Sequence, residues 1–191
     1  MPLLFLCKPS RGPDQVRESI AQTAGRISTA LARFEGLHIL VFGTADIDAT
    51  VAHLEAEGVA HGAVNRVRLP GEGGTKPVSI GYVEIESDPG RSPEGRLALA
   101  EDGSADFRAL LANSAHPNGA MELVKSVLCV PDADLRDYER RYSRYLQRPA
   151  RSNGPLRIFD LGSAQVVIVP NSALGTVLPD EVPPALPAFV A

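Results

Sequence analysis

The chain has 191 residues, a formal net charge of −4 and 44% hydrophobic residues. That suits one globular domain or two small modules on a shared core, and the acidic balance argues against nucleic acid as the main partner. No apolar run approaches the ~18 residues of a membrane span, and residues 1–12 have neither the charged start nor the apolar length of a secretion signal, so no membrane partner and a cytoplasmic location are the default expectations.

Residues 3–7 (LLFLC) form a short apolar strand. In residues 11–34, Val16, Ile20, Ile27, Leu31 and Phe34 recur at helical spacing and predict an amphipathic helix. Residues 37–42 are apolar except for His38, which suits a buried strand. Asp46 or Asp48 can cap the helix that follows, Ile47, Val51 and Leu54 mark its buried face, and Gly58 ends it. "VNRVRLP" and "KPVSIGYVEIES" read as strands, the second with Ile80, Tyr82 and Glu84 on one face and Gly81, Val83 and Ile85 on the other. "GRLALAE" is a further strand and "SADFRALLAN" a connector helix. "HPNGA" makes a turn, and a strand over 122–130 follows. A helix over 132–146 carries Leu135, Tyr138, Tyr142 and Tyr145, a stripe that predicts core packing. "LRIFDL" and "AQVVIVP" give two strands around a Gly162-Ser163 turn, and a third strand is hard to place in this half. Cys7 and Cys129 both lie in apolar runs and are expected to be reduced and buried.

Asp132 and Asp134 follow Asp46 and Asp48 at an offset of 86 residues, and each pair follows an apolar strand and opens a helix. The chain therefore reads as an α+β protein of tandem β-α-β-β-β modules, with mainly antiparallel curved sheets and helices on the outer faces. The expected division is 1–36 as an N-terminal strand and helix, 37–113 as the first module with its connector helix, and 114–191 as the second module with a C-terminal extension.

The segments "LHILVFGTADIDATVAHLEAEGVAHG", "HPNGAMELVKSVLCV", "YERRYSRYLQRPAR" and "PPALPAFVA" carry a resemblance to glyoxalase-like domain proteins of the vicinal oxygen chelate superfamily. The resemblance implies paired modules around a cup, with metal ligands on the first and last strands of each. Those four positions fall at His38, near Glu101, near Lys125 and near Val167. A charged lysine and a valine offer no lone pair to a metal, so no cofactor is expected. Relatives often carry a further module upstream, here reduced to a short strand and helix, so the chain is a shortened member, a fragment, or a protomer completed by a partner. Unpaired apolar edges favour a homodimer.

Two functions fit this reading. One is acid–base chemistry on a small oxygenated or carbonyl compound in the cup, with His38, Glu101 and His116 as catalytic groups and Tyr82, Glu84 and Lys125 holding the substrate. The other is non-catalytic binding or sequestration of a small molecule, of the kind that confers resistance. His53 is expected to face solvent. "GEGGT" lacks the Lys-Ser/Thr ending and the following helix of a phosphate-binding loop, and reads as a hairpin loop.

Overall fold

The computed structural model describes residues 27–69, 78–86, 92–101 and 122–191, with single positions at 21, 24 and 25. The strand over 3–7, Cys7, most of the N-terminal helix, the "GEGGT" loop, the connector helix and the turn holding His116 lie outside the described residues.

Two β-α-β-β-β units are present. The first comprises β1 (Ile39–Thr44), α1 (Ile47–Ala56), β2 (Asn65–Leu69), β3 (Val78–Ile85) and β4 (Arg96–Glu101). The second comprises β5 (Lys125–Val130), α2 (Leu135–Leu146), β6 (Arg151–Asn153), β7 (Leu156–Asp160) and β8 (Gln165–Pro170), to which β9 (Ala188–Phe189) is added. The sheet orders are β1-β4-β3-β2 and β6-β7-β8-β5-β9. The order within the second unit mirrors that of the first, with β9 extra. Each sheet is mixed: β1 runs parallel to β4 and β5 parallel to β8, while the other pairs are antiparallel. The parallel pair follows from chain order, because a helix between two strands returns the chain to the end where the first strand began.

The strand that the sequence hid is Arg151–Asn153. All three of its residues are exposed, so it lacks the apolar alternation by which a strand is recognised. The paired aspartates also divide their work. Asp46 caps α1, its side chain accepting from Ala49 N at 3.0 Å. Asp132 instead accepts from Ser172 N at 3.0 Å and so ties the opening of α2 to the turn after β8, an interaction that lowers its pKa.

Strand alternation sets the faces. Leu40 and Phe42 of β1, Val83 and Ile85 of β3, and Leu97 and Leu99 of β4 lie buried with Ile47 and Leu54 of α1 in one cluster. Gly81 sits beneath the helix, where a Cβ would lie 2.6 Å from Ile47 Cγ2. That cluster continues into Leu128, Val130, Phe159, Val166 and Ile168 of the second sheet and the α2 stripe of Tyr138, Tyr142 and Tyr145. The rings join the units: Phe42 meets Tyr142 edge-on with centroids 6.4 Å apart, and Tyr142 lies 6.3 Å from Phe159. The opposite face of the second sheet, with Val127, Cys129, Val167 and Val169, is buried with Ala173 and Leu174 of the following turn.

A charged tie reinforces the junction. Glu94, in the approach to β4, is fully buried and accepts through Oε1 from Arg141 Nη2 at 3.1 Å and from Tyr142 Oη at 3.3 Å. Among the described residues its Oε2 has no hydrogen-bond partner. Burial raises the Glu94 pKa despite the pull of Arg141. Arg141 in turn lies over the Tyr138 ring, 4.9 Å from its centroid. His53, expected in solvent, is half-buried in the same junction, with Nε2 2.9 Å from Arg144 O.

Candidate functional site

A cleft of about 640 Å³ opens where the two units meet. One wall is the run from Leu40 to Ala45 through the end of β1, with Thr50 of α1 and Leu99 of β4. The other wall comes from Leu123 and Ser126, the end of α2 from Tyr145 to Arg148, and the β7–β8 turn from Leu161 to Val166. The volume lies within the range of small-ligand sites, which run from about 300 to 1,000 Å³.

The polar lining is mostly neutral. Thr50 Oγ1 donates to Asp46 O at 2.7 Å, which leaves Thr44 to donate to Thr50 across a 2.7 Å contact. Tyr145 Oη accepts from Arg141 Nε at 3.0 Å, and burial raises the Tyr145 pKa. Gln165 Nε2 donates to Asp160 Oδ1 at 2.6 Å. Arg148 is the one charged side chain among the described lining residues, held at the rim by Asp160 O and by Leu146 O at 3.3 Å from Nε. Such a set can orient a small oxygenated or anionic compound. Among the described lining residues there is no carboxylate or imidazole to move a proton.

None of the described residues expected from the sequence to form the site lines this cleft. His38 sits just before β1 on the Leu40 and Phe42 face, with Nε2 2.7 Å from Phe34 O and its ring 4.3 Å from the Phe34 ring. Glu101 ends β4 on the corresponding face of the neighbouring strand, its Oε2 accepting from Gly81 N at 2.6 Å, with Arg66 Nη1 3.8 Å from Oε1. Residue 38 precedes Ile39, which pairs with Arg96, whereas Glu101 pairs with Thr44 at the far end. The two groups are therefore about 20 Å apart along the strands at ~3.3 Å per residue. Tyr82 and Glu84 stand together on the opposite face of β3, where Glu84 pairs with Arg96. Lys125 opens β5 and is exposed. His116 lies outside the described residues.

A divalent metal needs several nitrogen, sulfur or oxygen donors at one point. Among the described residues no three His, Cys, Asp or Glu side chains gather in that way, and His38, Glu101, Lys125 and Val167 do not form a donor set. The described residues do not fit the metal that the resemblance implies. Cys129 is buried, and burial, then the charge of Asp132, pushes its thiol up to about 11.

Sequence reasoning missed the cleft because its lining comes from both units, from Leu40 to Val166, and gathers only when they pack. It also missed Glu94 and Arg141, which lie 47 residues apart in chain and meet only when the units pack.

The family profile described as a glyoxalase-like domain matches residues 11–146. No curated protein sequence matches the chain. Among solved structures, a hypothetical protein from Staphylococcus aureus aligns with a TM-score of 0.48 at 12% identity, covering 67% of this chain and 50% of its own. A second hypothetical protein from S. aureus gives 0.29 at 11% identity, covering 71% and 92%. A glyoxalase/bleomycin resistance protein/dioxygenase from Nocardioides gives 0.30 at 14% identity, covering 78% and 92%. The chain spans half the length of the first of these structures.

Proposed function

We propose that this chain, which belongs to the glyoxalase-like domain family, binds a small oxygenated compound in the cleft between its two β-α-β-β-β units. One observation carries the reading: a cavity of ligand size is walled by both units, and its described lining combines apolar side chains with hydroxyls, the amides of Gln147 and Gln165 and the Arg148 guanidinium. Binding without turnover is the version that the described geometry supports. His38 and Glu101, expected with His116 as the catalytic groups, stand about 20 Å apart along the strands at ~3.3 Å per residue, which speaks against the two acting on one small substrate.

A second reading keeps catalysis and moves it to the open face of the first sheet. Tyr82 and Glu84 share that face with the exposed side chains of Ile39 and Val41, and Glu84 is paired with Arg96. Turnover there requires Glu84, so Glu84→Gln abolishes it, whereas cleft binding is indifferent to this change. The proposed division at 37–113 and 114–191 and the proposed homodimer complete the reading. Light scattering at low micromolar concentration tests the dimer, and a monodisperse monomer rejects it.

Titration calorimetry with a panel of 2-oxo acids, aldehydes and phenols tests the function, with each compound followed for consumption. Saturable binding that Gln165→Ala and Arg148→Ala weaken, with the compound recovered unchanged, supports the cleft reading. Binding that neither substitution affects rejects it.

A further inference from the structure

The internal repeat can be read position by position. At the offset of 86, the run Ile39–Thr44 of β1 corresponds to Lys125–Val130 of β5. Both strands run parallel to the last strand of their unit. In a parallel ladder every second residue turns its N–H and C=O to one neighbour, and the residues between turn theirs the other way. His38 O accepts from Arg96 N at 2.8 Å, so the even-numbered residues of β1 bond β4. Ile39, Val41 and Gly43 therefore direct their backbone groups outward. Val124 O accepts from Gln165 N at 3.0 Å, and the same rule leaves Lys125, Val127 and Cys129 outward in β5.

The second copy shows what such an edge takes. β9 lies along it, with Phe189 opposite Leu128 and Ala188 opposite Cys129. Val190 N donates to Val127 O at 2.9 Å, and Val127 N donates to Ala191 O. The first copy is met by β9 only at its head, where Leu37 bridges Phe189. Among the described residues nothing pairs with the backbone N–H and C=O of Val41 and Gly43, the positions equivalent to Val127 and Cys129. Both residues line the cleft.

The outward groups of Val41 and Gly43 are two residues apart, about 6.6 Å, which is the repeat of any extended peptide backbone. Across the cleft stands the second unit, with Ser126, Val166, Gln165 and Arg148, so the slot favours a single chain over a further sheet. Among the described lining residues the only charge is the Arg148 guanidinium, which suits a carboxylate.

We infer that the cleft takes a short peptide with a free α-carboxylate, bound as an added strand on the outward edge of β1, its backbone paired with Val41 and Gly43 and its carboxylate facing Arg148. This rests on the reading of the cleft as the ligand site and specifies the ligand's class. Strand addition draws affinity from main-chain hydrogen bonds, so it tolerates varied side chains but needs peptide N–H groups.

Calorimetry with the probe acetyl-Ala-Phe-Ala as the free acid tests it. Two analogues accompany the probe, one methylated on its backbone nitrogens and one with a C-terminal amide. The free acid binds the unaltered chain, and N-methylation weakens binding at least about tenfold, since each lost hydrogen bond costs a few-fold in affinity. The C-terminal amide and Arg148→Ala weaken it to similar extents and not additively. Gly43→Pro removes an outward N–H without touching the β4 ladder, a placement that edge strands tolerate, and also weakens binding. The methylated probe needs no altered protein, so the test stands even if that variant fails to fold. Equal binding of methylated and unmethylated probes overturns the inference. So does absence of peptide binding: if a panel compound still binds in the cleft, this inference alone fails, and if nothing binds, the proposed function fails with it. A dimer that Gly43→Pro dissociates assigns the edge to a second copy and also overturns the inference.

Discussion

Removing the charge of Glu94 should stabilise the fold near neutral pH or leave it unchanged, whereas removing its partner should be costly. Glu94 is fully buried, one carboxylate oxygen serves both Arg141 and Tyr142, and the other has no hydrogen-bond partner among the described residues. An unpartnered buried polar atom costs ~1–3 kcal/mol, and more when it carries charge. The raised pKa has a definite sign. The folded state holds the Glu94 proton to higher pH than the unfolded chain does, so Glu94 favours folding most at low pH. That contribution is lost as pH rises from the ordinary value of 4.5 through the raised one. Urea unfolding at pH 4.5 and pH 7.5 is the assay. Glu94→Gln keeps an acceptor for Tyr142 and should gain relative to the parent chain between the two pH values. Arg141→Met strands the buried carboxylate and should cost about 3–5 kcal/mol at pH 7.5, less at pH 4.5, where the carboxylate can take a proton. A Glu94→Gln loss above about 2 kcal/mol at pH 7.5, or an Arg141→Met cost independent of pH, would show that the buried Glu94 carboxylate is not a strained charge held by Arg141.

Phe42→Ala should cost about 3–5 kcal/mol in urea unfolding, because its ring is buried and meets Tyr142 across the junction, and both units should still melt in one transition. Two separate transitions in the unaltered chain would show that the shared core does not couple the units. Cys129, buried and with its thiol pushed up to about 11, should resist iodoacetamide at pH 8 in a Cys7→Ser background until urea unfolds the chain, as read by mass spectrometry. Asp46→Ala should cost ~1 kcal/mol through the lost cap of α1. Asp132→Ala should chiefly raise hydrogen exchange at Ser172, whose N–H it holds, and equal exchange there would contradict that role.

The parts of this fold written in side-chain periodicity were legible. The apolar runs of β1 and β5 and the tyrosine stripe of α2 stand where their patterns place them, because burial and periodicity are properties of a local window. The β6 strand was not legible, since three exposed polar residues hold their place by pairing with β7 alone. Matching aspartates pointed correctly to the repeat but not to their roles: Asp46 caps, and Asp132 reaches across to Ser172. The described residues expected to form the site are not gathered at the cleft. His38 and Glu101 were sound choices by residue type, but strand register puts them at opposite ends of one face. The cleft depends on how two units meet and on which backbone edge stays open, and neither has a signature in residue type.

Binding of a ligand between the units can be followed residue by residue. Nitrogen-15-labelled chain titrated with acetyl-Ala-Phe-Ala or the tightest panel compound, followed by two-dimensional NMR, tests it most directly. Shifts are expected to centre on Val41, Gly43, Thr44, Ser126, Arg148 and Gln165, with little change at Tyr82, Glu84 and His38. Shifts centred on Tyr82, Glu84 and Arg96, with the β1 end and the β7–β8 turn silent, would contradict binding between the units.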